Sequence, residues 1–305
     1  MPVLYLTGWT DDDIPRFLNK AAVAIDAILS VNSNVMLRFT GDYVTPALAV
    51  PLLFAREKLS ESKHTLYFSR NDLEKQSGAI DFFRSSGIYQ ALQNRSKETI
   101  RKALQERGGE VFFIWNVPAQ ANSIIQNETE NQLTNEKLSS HAIDLVLSLK
   151  APASIISYLY SFLMELFENA RVHGEGSTIY TIAQNARNGD HMIVVYDNGI
   201  GIPGAFRKYQ CLLPPSEQMS KSDTEIVEWA FRSGTSTKQG ESGIPRGMGL
   251  PTLKRIADSL SAEFGIASGN GIYYYKGGKP TLGDLSVGIQ GTILMLKAPQ
   301  SRIKE

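Results

Sequence analysis

Between Met164 and Gly174 the chain places Glu165, Asn169 and His173 at four-residue steps. A helix turns by roughly 100° per residue, so such steps stack the three side chains in one row. A carboxylate and an amide at the edge of a buried face suit a metal ion, a water or a phosphate. Downstream, Asp197 ends an apolar run and is followed by Gly199 and Gly201; after a long polar stretch comes Gly247-Met248-Gly249-Leu250. Glycines there let the backbone come close to a ligand where a side chain would collide.

The elements that must position these residues are legible from periodicity. Ile155, Leu159, Phe162, Leu166 and Ala170 recur at three- and four-residue steps, an amphipathic helix whose apolar seam adjoins the Glu165–Asn169–His173 row. An ordinary core helix with a polar flank carries the same residues, so the helix by itself decides nothing. Met192 to Tyr196 reads as the strand that delivers Asp197. Gly199 to Gly204 matches the dinucleotide fingerprint Gly-x-Gly-x-x-Gly, which must open into a packed helix with an acidic residue on a second strand. Here Pro214-Pro215 follows soon after Phe206 and breaks any such helix, so that reading is rejected. Ser222-Asp223-Thr224-Glu225 is a capping box for a short helix carrying Ile226, Trp229 and Ala230. Gly247 and Gly249 open a helix with Leu250, Leu253, Ile256, Ala257 and Leu260 on its apolar face; its free amides and dipole favour phosphate. Segments at 262–266, 271–275 and 292–296 complete an antiparallel sheet.

Composition narrows the class. With 305 residues, 42% hydrophobic and 20% charged, the chain is an ordinary globular protein with room for two domains. The 31 basic and 31 acidic residues balance, so no strong field favours nucleic acid or a membrane surface. The single cysteine, Cys211, excludes an internal disulfide and a multi-cysteine metal site, as expected of a reducing compartment. Neither a signal peptide nor a long apolar span is visible, and the expected location is the cytoplasm.

Residues 1–116 read as a small α/β unit: an apolar run at Val3–Leu6, a helix through Ile14, Phe17, Leu18, Ala21, Ala22 and Ile25, and a strand at Val35–Phe39 with a turn at Gly41-Asp42. A helix at Ala47–Leu59 and a strand at His64–Phe68 follow, with His64 packing in the strand; helices at Asp81–Ile88 and Ser96–Gln105 lead to a last strand at Val111–Trp115. Residues 117–150 read as a connecting segment, since Gln120–Ser140 is rich in Asn, Gln, Ser, Thr and Glu. Residues 151–300 form the second domain.

Glu165-x-x-x-Asn169 with the glycine motif after Asp197 resembles the N box and G1 box of the GHKL superfamily of gyrase, Hsp90, histidine kinases and MutL. The run from Glu165 to Gly174 is similar to that of anti-sigma-factor kinases and stand-alone ATP-binding relatives. The resemblance implies a Bergerat-fold, two-layer α/β sandwich binding ATP and Mg²⁺. It makes Asn169 the metal ligand and Glu165 the base that takes a proton from the group attacking the γ-phosphate. His173 or Arg171 would meet a phosphate, although Val172 stands where sensor kinases carry a basic residue. Asp197 would accept the adenine amino group, with Gly199 and Gly201 beside the base. The segment from Lys208 to Arg246 resembles the ATP lid, with Lys238 reaching the terminal phosphates, and Gly247, Gly249 and Leu250 the G2 box. Thr292 stands where the family keeps a threonine beside the adenine pocket.

Residues 30 to 95 resemble the STAS fold of anti-anti-sigma factors, with Thr45-Pro46 where those carry an Asp-Ser pair. His141 lacks the residues that follow the phospho-accepting histidine of sensor kinases. The fold class expected is thus a STAS-like α/β unit followed by an α+β Bergerat domain. The expected function is Mg²⁺-dependent ATP hydrolysis or transfer of the γ-phosphate to a protein partner. The alternative is an ATP-gated interaction switch with little turnover. GHKL relatives often work as dimers, so a homodimer belongs to the same expectation.

Overall fold

A computed structural model describes residues 1–9, 13–68, 92, 111–116, 128–173, 178–185, 190–218, 220–232 and 249–299. Parallel strands cannot be joined by a tight turn and need crossover segments, and the N-terminal half supplies them. Strand β1 (Val3–Trp9), helix α1 (Ile14–Leu29), strand β2 (Val35–Val44), helix α2 (Ala49–Glu61) and strand β3 (Leu66–Phe68) form a three-stranded sheet in the order β1-β2-β3, both pairs parallel. Asp13 caps α1 by accepting from the Arg16 N–H, with Pro15 in the first turn, where its missing N–H costs nothing.

The second sheet has five strands: β4 (Val111–Asn116), β5 (Thr178–Asn185), β6 (His191–Asp197), β8 (Lys279–Ala298) and β7 (Glu263–Lys276), in that spatial order and antiparallel throughout. Helices α3 (Glu128–Ser148), α4 (Ala153–His173), α5 (Gly201–Tyr209), α6 (Asp223–Ala230) and α7 (Gly249–Ser259) accompany this sheet. Alternation along the strands divides the sheet into two faces. Ile179, Ala183, Ile193, Val195, Leu294, Leu296, Phe264 and Ile266 face a core shared with α3, α4 and α7. Tyr180, Ile182, Met192, Val194, Tyr196, Ile293 and Met295 face the other way, into a core shared with α1, α2 and the N-terminal sheet. Helices α1 and α2 are therefore a middle layer between two sheets. This accounts for α2, buried from Ala49 through Glu57 on every side, as a helix without a solvent face must be.

The α/β architecture agrees with the sequence reading, and several elements differ. The strand at 111–116 pairs with β5 and so belongs to the second sheet; its apolar run fits either sheet, and pairing alone assigns it. Part of the segment read as a linker is α3, anchored by Leu138, Ala142, Leu145 and Val146, which follow a polar beginning that hides the helical period. Strand β2 continues through the Gly41-Asp42 expected to turn, with a register irregularity opposite β1. His64 lies before β3, not in it, and shares a hydrogen bond with Asn32. Thr45 is wholly buried and its oxygens accept from the N–H groups of Ala47 and Leu48, so its hydroxyl caps a turn away from solvent. The helices expected at 81–88 and 96–105 lie outside the described residues. No described helix is long and apolar enough to cross a membrane.

Candidate functional site

Asp197 closes β6 on the face that carries Ile193 and Val195, the face covered by α4. The register then builds a row across the sheet: Asp197 lies opposite Thr292 on β8, and Thr292 opposite Ser268 on β7. The Asp197 carboxylate accepts from the Gly199 N–H at 3.0 Å and from the Thr292 hydroxyl. Ser268, wholly buried, donates to the Gly291 carbonyl at 2.7 Å and accepts from the Ile202 N–H at 2.9 Å, with its oxygen 3.1 Å from that of Thr292. Burial pushes Asp197 up to about 7, with the bonds from Gly199 and Thr292 opposing the rise. A carboxyl only 8% exposed and poised near neutrality is ready to accept a hydrogen bond from a neutral donor.

Gly201 and Gly291 make this row compact. They have φ of +69° and +81°, values that side chains rarely adopt. A Cβ on Gly291 would stand 1.9 Å from the Asp197 carbonyl oxygen, and one on Gly201 would stand 2.7 Å from both the Gly291 oxygen and the Ser268 hydroxyl. The reason for Gly201 thus lies within the protein, in how closely α5 starts against β8. Because backbone cannot yield as a side chain tip can, Gly291→Ala is expected to destabilise the fold by about 2–4 kcal/mol. Chemical denaturation measures this, and an unchanged midpoint would contradict the crowding. A helix does open in the glycine motif, since α5 begins at Gly201, contrary to the expectation that the prolines forbid one. The dinucleotide reading still fails, because β6 is antiparallel to both neighbours and no βαβ unit surrounds the turn.

Helix α4 brings the second group together. Its Leu166, Phe167 and Ala170 pack into the core, leaving Glu165 and Asn169 half-buried at its margin. The Asn169 amide donates to Glu165 Oε1 at 3.2 Å. Burial raises the Glu165 carboxyl above its ordinary range, and the Asn169 bond opposes it. Gly249, at the start of α7, comes so near that a Cβ there would stand 1.9 Å from Glu165 Oε1 and 3.4 Å from Asn169 Nδ2. Leu250 packs on the same core as Met164 and Ile202. Helix α4 also touches α5, which starts in the Asp197 motif. The two groups therefore share one face of the sheet.

His173 ends α4, but its side chain, like Lys238 and Gly247, lies outside the described residues. Gly199 is buried and donates to Asp197. Ser268 went unnoticed in the sequence: a serine within Ala262–Gly271 carries no motif, and only strand register puts it beside Thr292. The expected capping box is present, with Ser222 accepting from the Glu225 N–H and the Glu225 carboxylate accepting from the Ser222 N–H. A groove of about 400 Å³ between α7 and β7, bordered by Lys254, Arg255, Asp258, Tyr273 and Tyr275, contains none of the candidate residues.

Among the described residues no group of three or more His, Cys, Asp or Glu could hold a metal ion by itself. The donor set around Asn169 and Glu165 fits Mg²⁺ all the same, because that ion is commonly held by one or two protein oxygens, substrate phosphates and water.

Residues 155–294 match the family described as histidine kinase-, DNA gyrase B- and HSP90-like ATPase. The matched segment runs from α4 to β8 and includes Glu165, Asn169, Asp197, Gly249 and Thr292. This match supports a GHKL-type, ATP-binding domain over these residues. A comparison with curated proteins found no match.

Proposed function

We propose that the segment from α4 to β8 binds ATP with Mg²⁺ and hydrolyses it or passes its γ-phosphate to a protein partner. The observation that carries this reading is the pair of groups under α4. The row Asp197–Thr292–Ser268, buried at both its ends, offers a hydrogen-bonding end, and Glu165 with Asn169 against Gly249 offers a carboxylate–amide end. Asp197 is the acceptor for the adenine amino group, with Thr292 and Ser268 holding its orientation. Asn169 offers its amide oxygen to Mg²⁺, which would neutralise phosphate charge. Glu165 takes the proton from the attacking water or hydroxyl, and its raised pKa brings it nearer to the working range of a general base. His173 and Lys238 are the side chains assigned to phosphate. The N-terminal unit, STAS-like in this reading, is the docking side for the partner, because its helices share a core with the nucleotide-bearing sheet.

The test is nucleotide binding and phosphate release by the purified full chain. Binding of Mg-ATP with release of phosphate, or with transfer of labelled phosphate to a second protein, is the expected result. A chain that binds no adenine nucleotide overturns the proposal. The shared core also favours a second reading, an ATP-gated interaction switch, since a layer packed on the sheet is placed to report its state. ATP binding without turnover, accompanied by altered proteolysis, selects that reading.

A further inference from the structure

Helix α2 places a carboxylate where an apolar helix between two sheets has no evident need of one. Glu57, only 5% exposed, accepts from the Tyr180 hydroxyl and from Thr178 Oγ1, both on β5. One turn earlier, Phe54 meets Tyr196 edge-on with ring centres 4.7 Å apart and Tyr180 at 6.3 Å. Helix α2 thus grips β5 and β6 through one carboxylate and one ring.

Both strands lead directly to the residue after Asp197. The Thr178 N–H donates to Asn198 Oδ1 at 2.7 Å, and the Asn198 N–H donates back to the Thr178 carbonyl at 3.2 Å. From the other side the Tyr196 hydroxyl donates to the Gln290 carbonyl at 2.7 Å, and Gln290 Nε2 donates to the Asn198 carbonyl at 2.8 Å. Asn198 is therefore clamped by two bonded paths, one starting at the Thr178 held by Glu57 and the other at the Tyr196 packed on Phe54. It links Asp197 to Gly199, whose N–H bonds the Asp197 carboxylate.

We infer that Glu57 is a positioning residue for the adenine end of the nucleotide site, acting through Thr178, Tyr180 and Asn198. The inference rests on the reading of Asp197 as the adenine acceptor. It gives the N-terminal half a definite role: a displacement of α2 by a partner changes how the Asp197–Gly199 turn is held, and nucleotide binding is felt at α2 in return.

The experiment uses full-length protein and two ligands, Mg-ATP and inorganic tripolyphosphate, which lacks the base. Tyr180→Phe removes one donor to Glu57 and keeps the ring. It is expected to weaken ATP roughly tenfold while leaving tripolyphosphate binding unchanged. Thr178→Val, nearly the same shape, is expected to do the same and supplies the reading where Tyr180→Phe does not fold. ATP affinity equal to that of the wild type in a folded variant overturns the inference, as does an equal loss for both ligands, which marks general destabilisation. A wild-type chain that binds tripolyphosphate but not ATP overturns the adenine assignment instead, and with it this inference. That failure is visible before any variant is made.

Discussion

Glu165→Gln is expected to lower ATP turnover by about 10²–10⁴-fold, the range lost when a positioned proton acceptor is removed. ATP affinity is expected to stay within about threefold, since a group used only in the transition state adds little to ground-state binding. Glutamine keeps the volume and offers Asn169 a carbonyl in place of the Oε1 that now accepts its amide at 3.2 Å. The crowded approach of Gly249 is undisturbed for the same reason. Glu165→Ala is expected to abolish phosphate release, with a larger disturbance of Asn169. Phosphate release under single-turnover conditions, alongside equilibrium binding, gives both quantities. Turnover equal to the wild type would remove Glu165 from the chemistry and leave the switch reading.

Asp197→Asn is expected to act in opposite directions on stability and on binding. The carboxyl titrates at about 7 in the folded protein against an ordinary value of 3.8. Between those values the folded state holds a proton that the unfolded state has released. The nucleotide-free protein therefore loses stability as pH rises through this window, by at most about 4 kcal/mol. Asparagine is neutral throughout, so the variant is expected to melt higher than the wild type at pH 8 and to show a flatter stability profile below it. Its affinity for ATP is expected to fall by about tenfold or more, because the adenine amino group loses a charged acceptor. Wild-type affinity should tighten as pH rises from 6 to 8, because the ionised carboxylate is the better acceptor. The variant, titrated with the same nucleotide, removes ATP's own ionisation from the comparison. Equal affinity in the two proteins would remove Asp197 from the adenine assignment, whatever happened to stability.

The local parts of the site were legible because local rules govern them. The three- and four-residue steps from Ile155 to Ala170 specify α4, and the same period places Glu165 one turn from Asn169, so their hydrogen bond follows from helix geometry. The capping box at Ser222 and the helix opening at Gly249 are likewise short-range patterns. Strand β6 with Asp197 at its end could be read from an apolar run meeting a turn.

What the chain order could not reveal is which distant segments meet. Val111–Asn116 is an apolar strand whichever sheet receives it, and only hydrogen bonding with β5 removes it from the N-terminal unit. Ser268 joins the row of Asp197 and Thr292 because β7 and β8 pair in the register that sets it opposite Thr292. A one-residue slip would turn it to the other face. The crossover layer of α1 and α2 between two sheets, and Glu57 inside it, likewise depend on tertiary packing, since an apolar helix does not state what it is buried against. Sequence alone determined which residues are candidates for nucleotide chemistry and that Glu165, Asn169 and Asp197 stand on a helix and at a strand end, because those placements depend on periods of a few residues. Tertiary structure alone decided that Asp197, Thr292 and Ser268 form one row and that the N-terminal half reaches it, because strand register and burial are settled between segments far apart in the chain.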